Sequence, residues 1–262
     1  MQHVALGQTP FTVSRVALGT MTFGAQVDEP AAAAMVDLCL ERGVNFIDTA
    51  NVYNAGKAEE MLGRILRGRR DRVVLATKVG IKMGDGPADS GLSPKAILKG
   101  IDDSLRRLQT DYVDLFYLHQ PDYSVPIEES LETLDGLVQA GKIRELGASN
   151  YAGWQICQML WLAEKRGWRP VRVVQPMYNL LARGIEQEFL PMARQFQLAV
   201  VPYNPLAGGL LTGKHHLDQV PTATRFERMP AYKDRYWHPQ NFAAVDQLAQ
   251  IARERGVSLV GL

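Results

Sequence analysis

Four side chains of this sequence have the types that proton transfer needs: Asp48, Tyr53, Lys78 and His119. A phenol, with a pKa of about 10, is a poor acid–base catalyst at neutral pH. A lysine ammonium beside it favours the phenolate and lowers that pKa. A carboxylate paired with the lysine holds the ammonium in place and keeps it charged. His119 would orient a carbonyl oxygen or share a hydrogen bond with the phenol. No side chain of the set can donate a hydride, so a reduction here requires a cofactor. Taken singly, each has a plainer reading: Asp48 and Lys78 as a structural ion pair, His119 as a hydrogen-bonded structural histidine. Tyr53 alone says almost nothing. The functional reading rests on all four meeting at one place.

Whether they meet depends on the elements that carry them. Short apolar runs alternate with longer amphipathic ones, and length with β-branched or aromatic content predicts strands at 15–19, 45–49, 73–79, 113–119, 143–148, 171–176 and 198–203. Helices lie between them. Asp28 is expected to cap one that runs through the alanines at 31–34 and stops at Gly43. Ser93 followed by Pro94 is a capping residue with proline at the first helical position. Gly141, Gly167 and Gly256 each follow an amphipathic stretch, where a left-handed closing residue is expected. Strand–helix alternation implies parallel strands with crossover helices. Runs such as Val73-Val74-Leu75-Ala76 are apolar on both faces, as a covered sheet requires.

A doubly wound open sheet and a (β/α)8 barrel both fit this alternation. The open sheet would announce a dinucleotide with G-x-G-x-x-G after its first strand, but that place reads Gly19-Thr20-Met21-Thr22-Phe23-Gly24. Residues 3–14 read as a hairpin turning at Gln8-Thr9-Pro10, a plug for the bottom of a barrel. The barrel is therefore expected, as a single domain over residues 1–262. Its functional residues belong at the C-terminal ends of the strands, where Asp48, Lys78 and His119 fall, with Tyr53 just beyond Asp48. Only seven core strands can be counted, and Ser258 reads as the cap of another helix scarcely begun. The expectation is a barrel incomplete at its C-terminus, with two open sheet edges that invite another chain, such as a second copy in a homo-oligomer.

Composition removes other classes. The chain has 262 residues, and its 29 basic and 28 acidic side chains leave a net charge of +1, which argues against a nucleic-acid surface built on bulk charge. Two cysteines, Cys39 and Cys157, form no disulfide framework, so the cytoplasm is the expected compartment. No window approaches a membrane span, and the first residues lack the pattern of a signal peptide. Residues 208–215 nearly spell a P-loop, but its last position is His215 rather than a hydroxyl, and Pro221 limits any following helix. His215-His216 lacks partners at metal-ligand spacing and reads as a solvated pair; no metal site is expected. Trp154, Met159, Leu160 and Trp161 read as a helix face packed on the barrel. Phe23, Tyr123, Tyr232 and Trp237 are candidates for a substrate pocket.

Gly43-Val44-Asn45-Phe46-Ile47-Asp48-Thr49-Ala50, with Tyr53, Gly56, Glu59-Glu60 and Leu62-Gly63 after it, resembles the first signature of the aldo-keto reductases. Residues 112–119, Gly141-Lys142-Ile143-Arg144 with Gly147-Ala148-Ser149-Asn150, residues 175–179 and residues 206–214 extend the resemblance in the right order, from about Val4 to the last residue. The resemblance implies a (β/α)8 barrel that reduces aldehydes and ketones with NADPH and without a Rossmann domain. It maps the catalytic tetrad onto Asp48, Tyr53, Lys78 and His119, with Tyr53 giving the proton to the carbonyl oxygen. It assigns Ser149, Asn150 and Gln175 to the cofactor's carboxamide and Tyr203 to stacking on the nicotinamide. Asn204 (more usually serine), Pro205, Leu206, Gly208 and Lys214 match a loop along the pyrophosphate. Thr20 and Met21 approach the cofactor there, Asp48 also belongs to the cofactor-side set, and Arg225 is a phosphate candidate. Family members continue through another helix, an eighth strand and a segment that binds the adenosine 2′-phosphate, which the resemblance does not find here. Two other readings stand beside the enzyme: a cofactor-binding auxiliary subunit of a membrane channel acting as a redox sensor, and an inactive fragment.

Overall fold

The computed structural model describes residues 1–219, 222 and 224–262; Pro221, expected to limit a helix, lies outside the described residues. Each expected strand is present, several of them shorter than the apolar run that announces it. An N-terminal antiparallel hairpin pairs β1 (His3–Ala5) with β2 (Thr12–Ser14), His3 opposite Ser14. Seven strands then form one parallel sheet in chain order. They are β3 (Leu18–Gly19), β4 (Phe46–Asp48), β5 (Val74–Val79), β6 (Val113–Leu118), β7 (Ile143–Ser149), β8 (Val171–Gln175) and β9 (Ala199–Val200). Sequential neighbours throughout, with a helix between most successive pairs, are the mark of right-handed crossovers wound in one direction. Among the described residues no helix is long and apolar enough to cross a membrane.

The helices begin and end where their punctuation directs. In α1 (Glu29–Glu41) the Asp28 carboxylate accepts the Ala31 N–H at 3.0 Å, and Gly43 takes a φ of 78° just beyond the end. Between them α2 (Lys57–Ile65) and α3 (Pro94–Leu108) flank β5, with Ser93 accepting the Ala96 N–H at 3.3 Å. Next come α4 (Ile127–Gln139) and α5 (Gly153–Arg166), the latter closed by left-handed Gly167. The buried face of α5 is Ile156, Met159, Leu162 and Ala163. Trp154 and Trp161, two turns apart, lie on the opposite stripe and are more than half exposed, so the expectation that they pack on the barrel is corrected. Phe23 is 1% exposed, a core residue rather than pocket lining, whereas Tyr123 stands in solvent.

The sheet curls. β4 and β8 are four steps apart, which in a flat sheet is about 19 Å at ~4.8 Å per step. Yet Gln175 Nε2 donates to Asp48 Oδ2 at 2.8 Å. Phe46, Val74, Ala76, Leu115, Tyr117 and Val173, alternate residues of their strands, meet inside this curl and pack with Leu6 and Val13 of the hairpin. The pleat repeats every two residues, so Asp48, Lys78, His119 and Gln175 continue the same inward rows toward the strand C-termini. The hairpin fills one end of the interior and the polar residues occupy the other. This is the incomplete (β/α)8 arrangement that the sequence predicts. Among the described residues β3 and β9 each have a single strand neighbour.

The chain divides into two compact units, residues 1–175 with 188–201, and residues 176–187 with 202–262. The first holds the sheet, α1 to α5 and α6 (Phe189–Gln195). The second contains a 3-10 turn (Ala207–Thr212) and helices α7 (Arg225–Arg228), α8 (Pro230–Tyr236) and α9 (Pro239–Glu254). Its core is Leu210, Leu211, Phe226, Tyr236 and Val245, with Tyr232 and Trp237 packed against it. His215 lies edge-on to Phe226 and Trp237, at 5.2 and 5.6 Å between ring centroids, so it belongs to this aromatic cluster rather than to a solvated pair. Ser258 Oγ accepts the Gly261 N–H at 3.0 Å, the geometry expected of a cap.

Candidate active site

Lys78 is the hub of the site. It closes the inward row of β5, is fully buried, and has three oxygen partners for its three protons. One is the Asp48 carboxylate at the end of β4. A second is the Thr49 carbonyl at 2.7 Å, and the third is the Tyr53 hydroxyl at 3.5 Å. Burial works against its charge, but the nearby Asp48 carboxylate and then Tyr53 outweigh it, and the ammonium's pKa is raised. Asp48 is held from its other oxygen by Gln175, and its backbone carbonyl accepts both the N–H and the hydroxyl of Thr20, each at 3.0 Å.

His119 follows β6 directly. Its ring meets Tyr53 edge-on at 6.1 Å between centroids. Its backbone is fixed by a 2.9 Å bond to the Val79 carbonyl and by the Asn150 amide, which donates to the His119 carbonyl at 2.8 Å. Burial first, and the Lys78 charge second, lower its pKa to about 3, so the imidazole is neutral at physiological pH. Its Nδ1 is buried without a hydrogen-bond partner. Ser149 Oγ donates to the Gln175 carbonyl at 2.9 Å, and left-handed Asn150 also donates to Ser149 Oγ at 3.1 Å. Asp48, Tyr53, Lys78, His119, Ser149, Asn150 and Gln175 are thus one connected cluster in the first unit, with Thr20 and Met21 beside it.

Tyr53 sits on a tight 3-10 turn (Tyr53–Gly56) that leads into α2. Asn54 and Ala55 have φ of 51° and 55°, a left-handed conformation that costs roughly 1–2 kcal/mol per L-residue. The Asn54 amide offsets this by donating to the Met21 carbonyl at 3.0 Å and the Phe23 carbonyl at 2.6 Å. Below the turn, Glu59 of α2 is fully buried, accepting from Thr77 at 2.5 Å and from Arg107 of α3 at 2.7 Å. Asn54 was not among the expected site residues. The signal was present in Tyr53-Asn54-Ala55-Gly56, since asparagine tolerates left-handed backbone and its short amide reaches nearby carbonyls.

The remaining expected residues lie in the second unit. Tyr203 is fixed through its backbone, its N–H donating to the Pro176 carbonyl at 3.0 Å. Asn204, with a φ of 64°, has both ends of its side chain engaged: Oδ1 accepts the Gly208 N–H at 2.7 Å and Nδ2 donates to the Tyr236 hydroxyl at 2.7 Å. It shapes the loop through Pro205, Leu206 and Gly208. Leu206 packs on the unit's core, Lys214 follows left-handed Gly213, and the Arg225 guanidinium lies 5.3 Å from the centre of the Tyr232 ring.

A parallel barrel-type sheet thus carries a lysine-supported phenol and a neutral histidine at its C-terminal rim. The chain belongs to the aldo/keto reductase family, a family of oxidoreductases, whose model matches residues 15–262. It is 42% identical over 237 residues to human aflatoxin B1 aldehyde reductase member 2, covering 87% of this chain and 65% of that protein. Over all of this chain and 82% of the relative it is 38% identical to a probable voltage-gated potassium channel subunit beta of Oryza sativa subsp. japonica. An uncharacterized oxidoreductase of Bacillus subtilis strain 168 is 43% identical over 82% of this chain and 69% of its own length. The chain thus spans about two thirds of the first of these relatives.

Proposed function

We propose that the chain reduces small aldehydes or ketones to alcohols with NADP(H), Tyr53 acting as general acid. The observation that carries this reading is the Lys78 ammonium joined at once to a carboxylate and to a phenol. In the reaction the Tyr53 proton goes to the carbonyl oxygen, and the charge left on the phenol is stabilised by the ammonium beside it. Asp48 keeps that ammonium charged and in place. His119, neutral, has a ring nitrogen with which to orient the carbonyl oxygen without competing as an acid.

The donor set fits a nicotinamide. Ser149, Asn150 and Gln175 are neutral hydroxyl and amide groups beside the tetrad, which suit a carboxamide better than a phosphate. When bound, that cofactor supplies the hydride that no side chain here can give. By resemblance, Tyr203, Asn204, Pro205, Leu206, Gly208, Lys214 and Arg225 contact the same cofactor, as do Thr20 and Met21. Both cysteines are free thiols, which supports a reducing, cytoplasmic setting. Among the described residues β3 and β9 each have one strand neighbour, and any pairing of these edges with a second copy is read out as solution mass. The likeness, over all of this chain, to a probable channel beta subunit favours one second reading, an auxiliary subunit that retains the cofactor and turns over slowly.

The test is NADPH consumption with an aromatic aldehyde by the parent chain and by Tyr53→Phe. Turnover in the parent that falls by 100-fold to 10,000-fold in the variant, with cofactor affinity retained, is expected. Equal rates in the two would remove Tyr53 from the mechanism. Tight cofactor binding with no turnover in either would favour the auxiliary subunit.

A further inference from the structure

Tyr117 lies two residues before His119 on β6, on the same inward row, and is fully buried. Its ring occupies space that only a glycine opposite it allows. Gly147 is its partner across the β6–β7 pair, and a Cβ there would come within 2.3 Å of the Tyr117 Cδ1. The Lys78 ammonium stands 5.6 Å from the centre of the Tyr117 ring and 5.1 Å from that of Tyr53, both within the range of a cation–π attraction. All three ammonium protons already have oxygen partners. What remains is the side facing the barrel interior. A water or a carboxylate there would compete for a proton; a purely aliphatic wall would leave the cation facing a medium that does not solvate it.

The Tyr117 hydroxyl has no hydrogen-bond partner, the Gln175 amide lying near it without closing a bond. Burial, and then the Asp48 carboxylate, hold the phenol far above its usual pKa, so Tyr117 stays neutral. The groups facing Lys78 are Asp48 of β4, its ion-pair partner, Tyr53 of the following turn, and Tyr117 and His119 of the β6 row.

We propose that Tyr117 is a positioning residue whose neutral aromatic face holds the Lys78 ammonium beneath Tyr53 without claiming any of its protons. This rests on the reading of Tyr53 as the proton donor. Removing the ring admits water or lets the ammonium swing away, and either change weakens its support of the Tyr53 phenolate.

Tyr117→Leu is expected to lower kcat for carbonyl reduction about tenfold with little change in KM. In the direction of alcohol oxidation, which needs the phenolate, the pH of half-maximal rate should move up by about one unit. Tyr117→Phe restores the ring and should rescue both. The same shift should appear without turnover, in the phenolate absorbance titration that each protein loses on adding Tyr53→Phe. That second readout keeps the inference separate from the proposed activity: a parent chain without reductase activity still reports whether Tyr117 moves the Tyr53 titration. Should Tyr117→Leu fail to fold, difluorophenylalanine at 117 keeps the shape, weakens the aromatic face, and should give a smaller upward shift. An unchanged titration in a folded ring-less or fluorinated variant overturns the proposal. So does a Tyr117→Phe variant that behaves like Tyr117→Leu, which would assign the effect to the hydroxyl.

Discussion

The first unit buries two aspartates among cations, Asp48 at the C-terminal end of β4 and Asp114 near the N-terminal end of β6, and they are spent differently. Asp114 accepts from Arg70 at 2.7 Å, from Arg144 at 3.0 Å and from the Leu75 N–H at 2.9 Å. Both guanidinium groups also stack on the Tyr112 ring, at 4.5 and 3.8 Å from its centre. Arg70 continues only to the Val73 and Tyr112 carbonyls, and guanidinium holds its protons at any pH the protein meets, so this cluster reaches no group that can exchange a proton. Asp48 is bound by an ammonium that continues to a carbonyl and a phenol. The ingredients are alike, and the difference lies in where the third bond of the cation goes. A buried pair is structural when its charges saturate each other, and chemical when one partner reaches beyond the pair toward a group that can exchange a proton.

The comparison can be broken at either end. Asp114→Asn should have the largest effect on folding, lowering unfolding free energy by about 3 kcal/mol, because two cations lose a buried partner. Its rate per folded molecule should stay within about twofold of the parent, as measured by denaturant unfolding and turnover on one preparation. Asn54→Ala acts on the turn that carries Tyr53. Loss of two hydrogen bonds from a left-handed residue should cost about 1–2 kcal/mol of stability and lower kcat several-fold through a looser Tyr53, with cofactor affinity unchanged.

The last effect is silent at neutral pH and is a pH dependence confined to acid. The folded His119 pKa is about 3, below the unfolded value of 6.5, so the unfolded chain binds the extra proton between them. Stability is therefore full above pH 6.5 and falls with a slope of about 1.4 kcal/mol per pH unit as the pH drops toward 3. His119→Gln should flatten that part of the curve in denaturant titrations at stepped pH; an unaltered slope would show that His119 does not set it.

Much of this was legible from residue types. Runs such as 73–76 and 113–116 are apolar on both faces, which only a covered parallel sheet accommodates, and the expected strands follow. Asp48, Lys78 and His119 could be placed at one rim because a parallel barrel puts all strand C-termini there. The bond between Gln175 and Asp48, 127 residues apart, was not legible, since it exists only once the sheet curls. Neither was the left-handed Ala55, whose conformation is imposed by the turn that holds Tyr53. Trp154 and Trp161 misled because a large apolar side chain on a helix does not announce which stripe faces inward. Tyr117 was hidden within an unbroken apolar strand, where a phenol and a phenylalanine read alike.

The central claim, that the Lys78 cluster does chemistry and the Asp114 cluster does not, is tested most directly by assaying Tyr53→Phe and Asp114→Asn side by side, with turnover normalised to folded protein. The account predicts a stable, inactive Tyr53→Phe and an unstable Asp114→Asn whose folded fraction is active. A Tyr53→Phe protein that still reduces the aldehyde, or an Asp114→Asn protein that is stable and inactive, would contradict it.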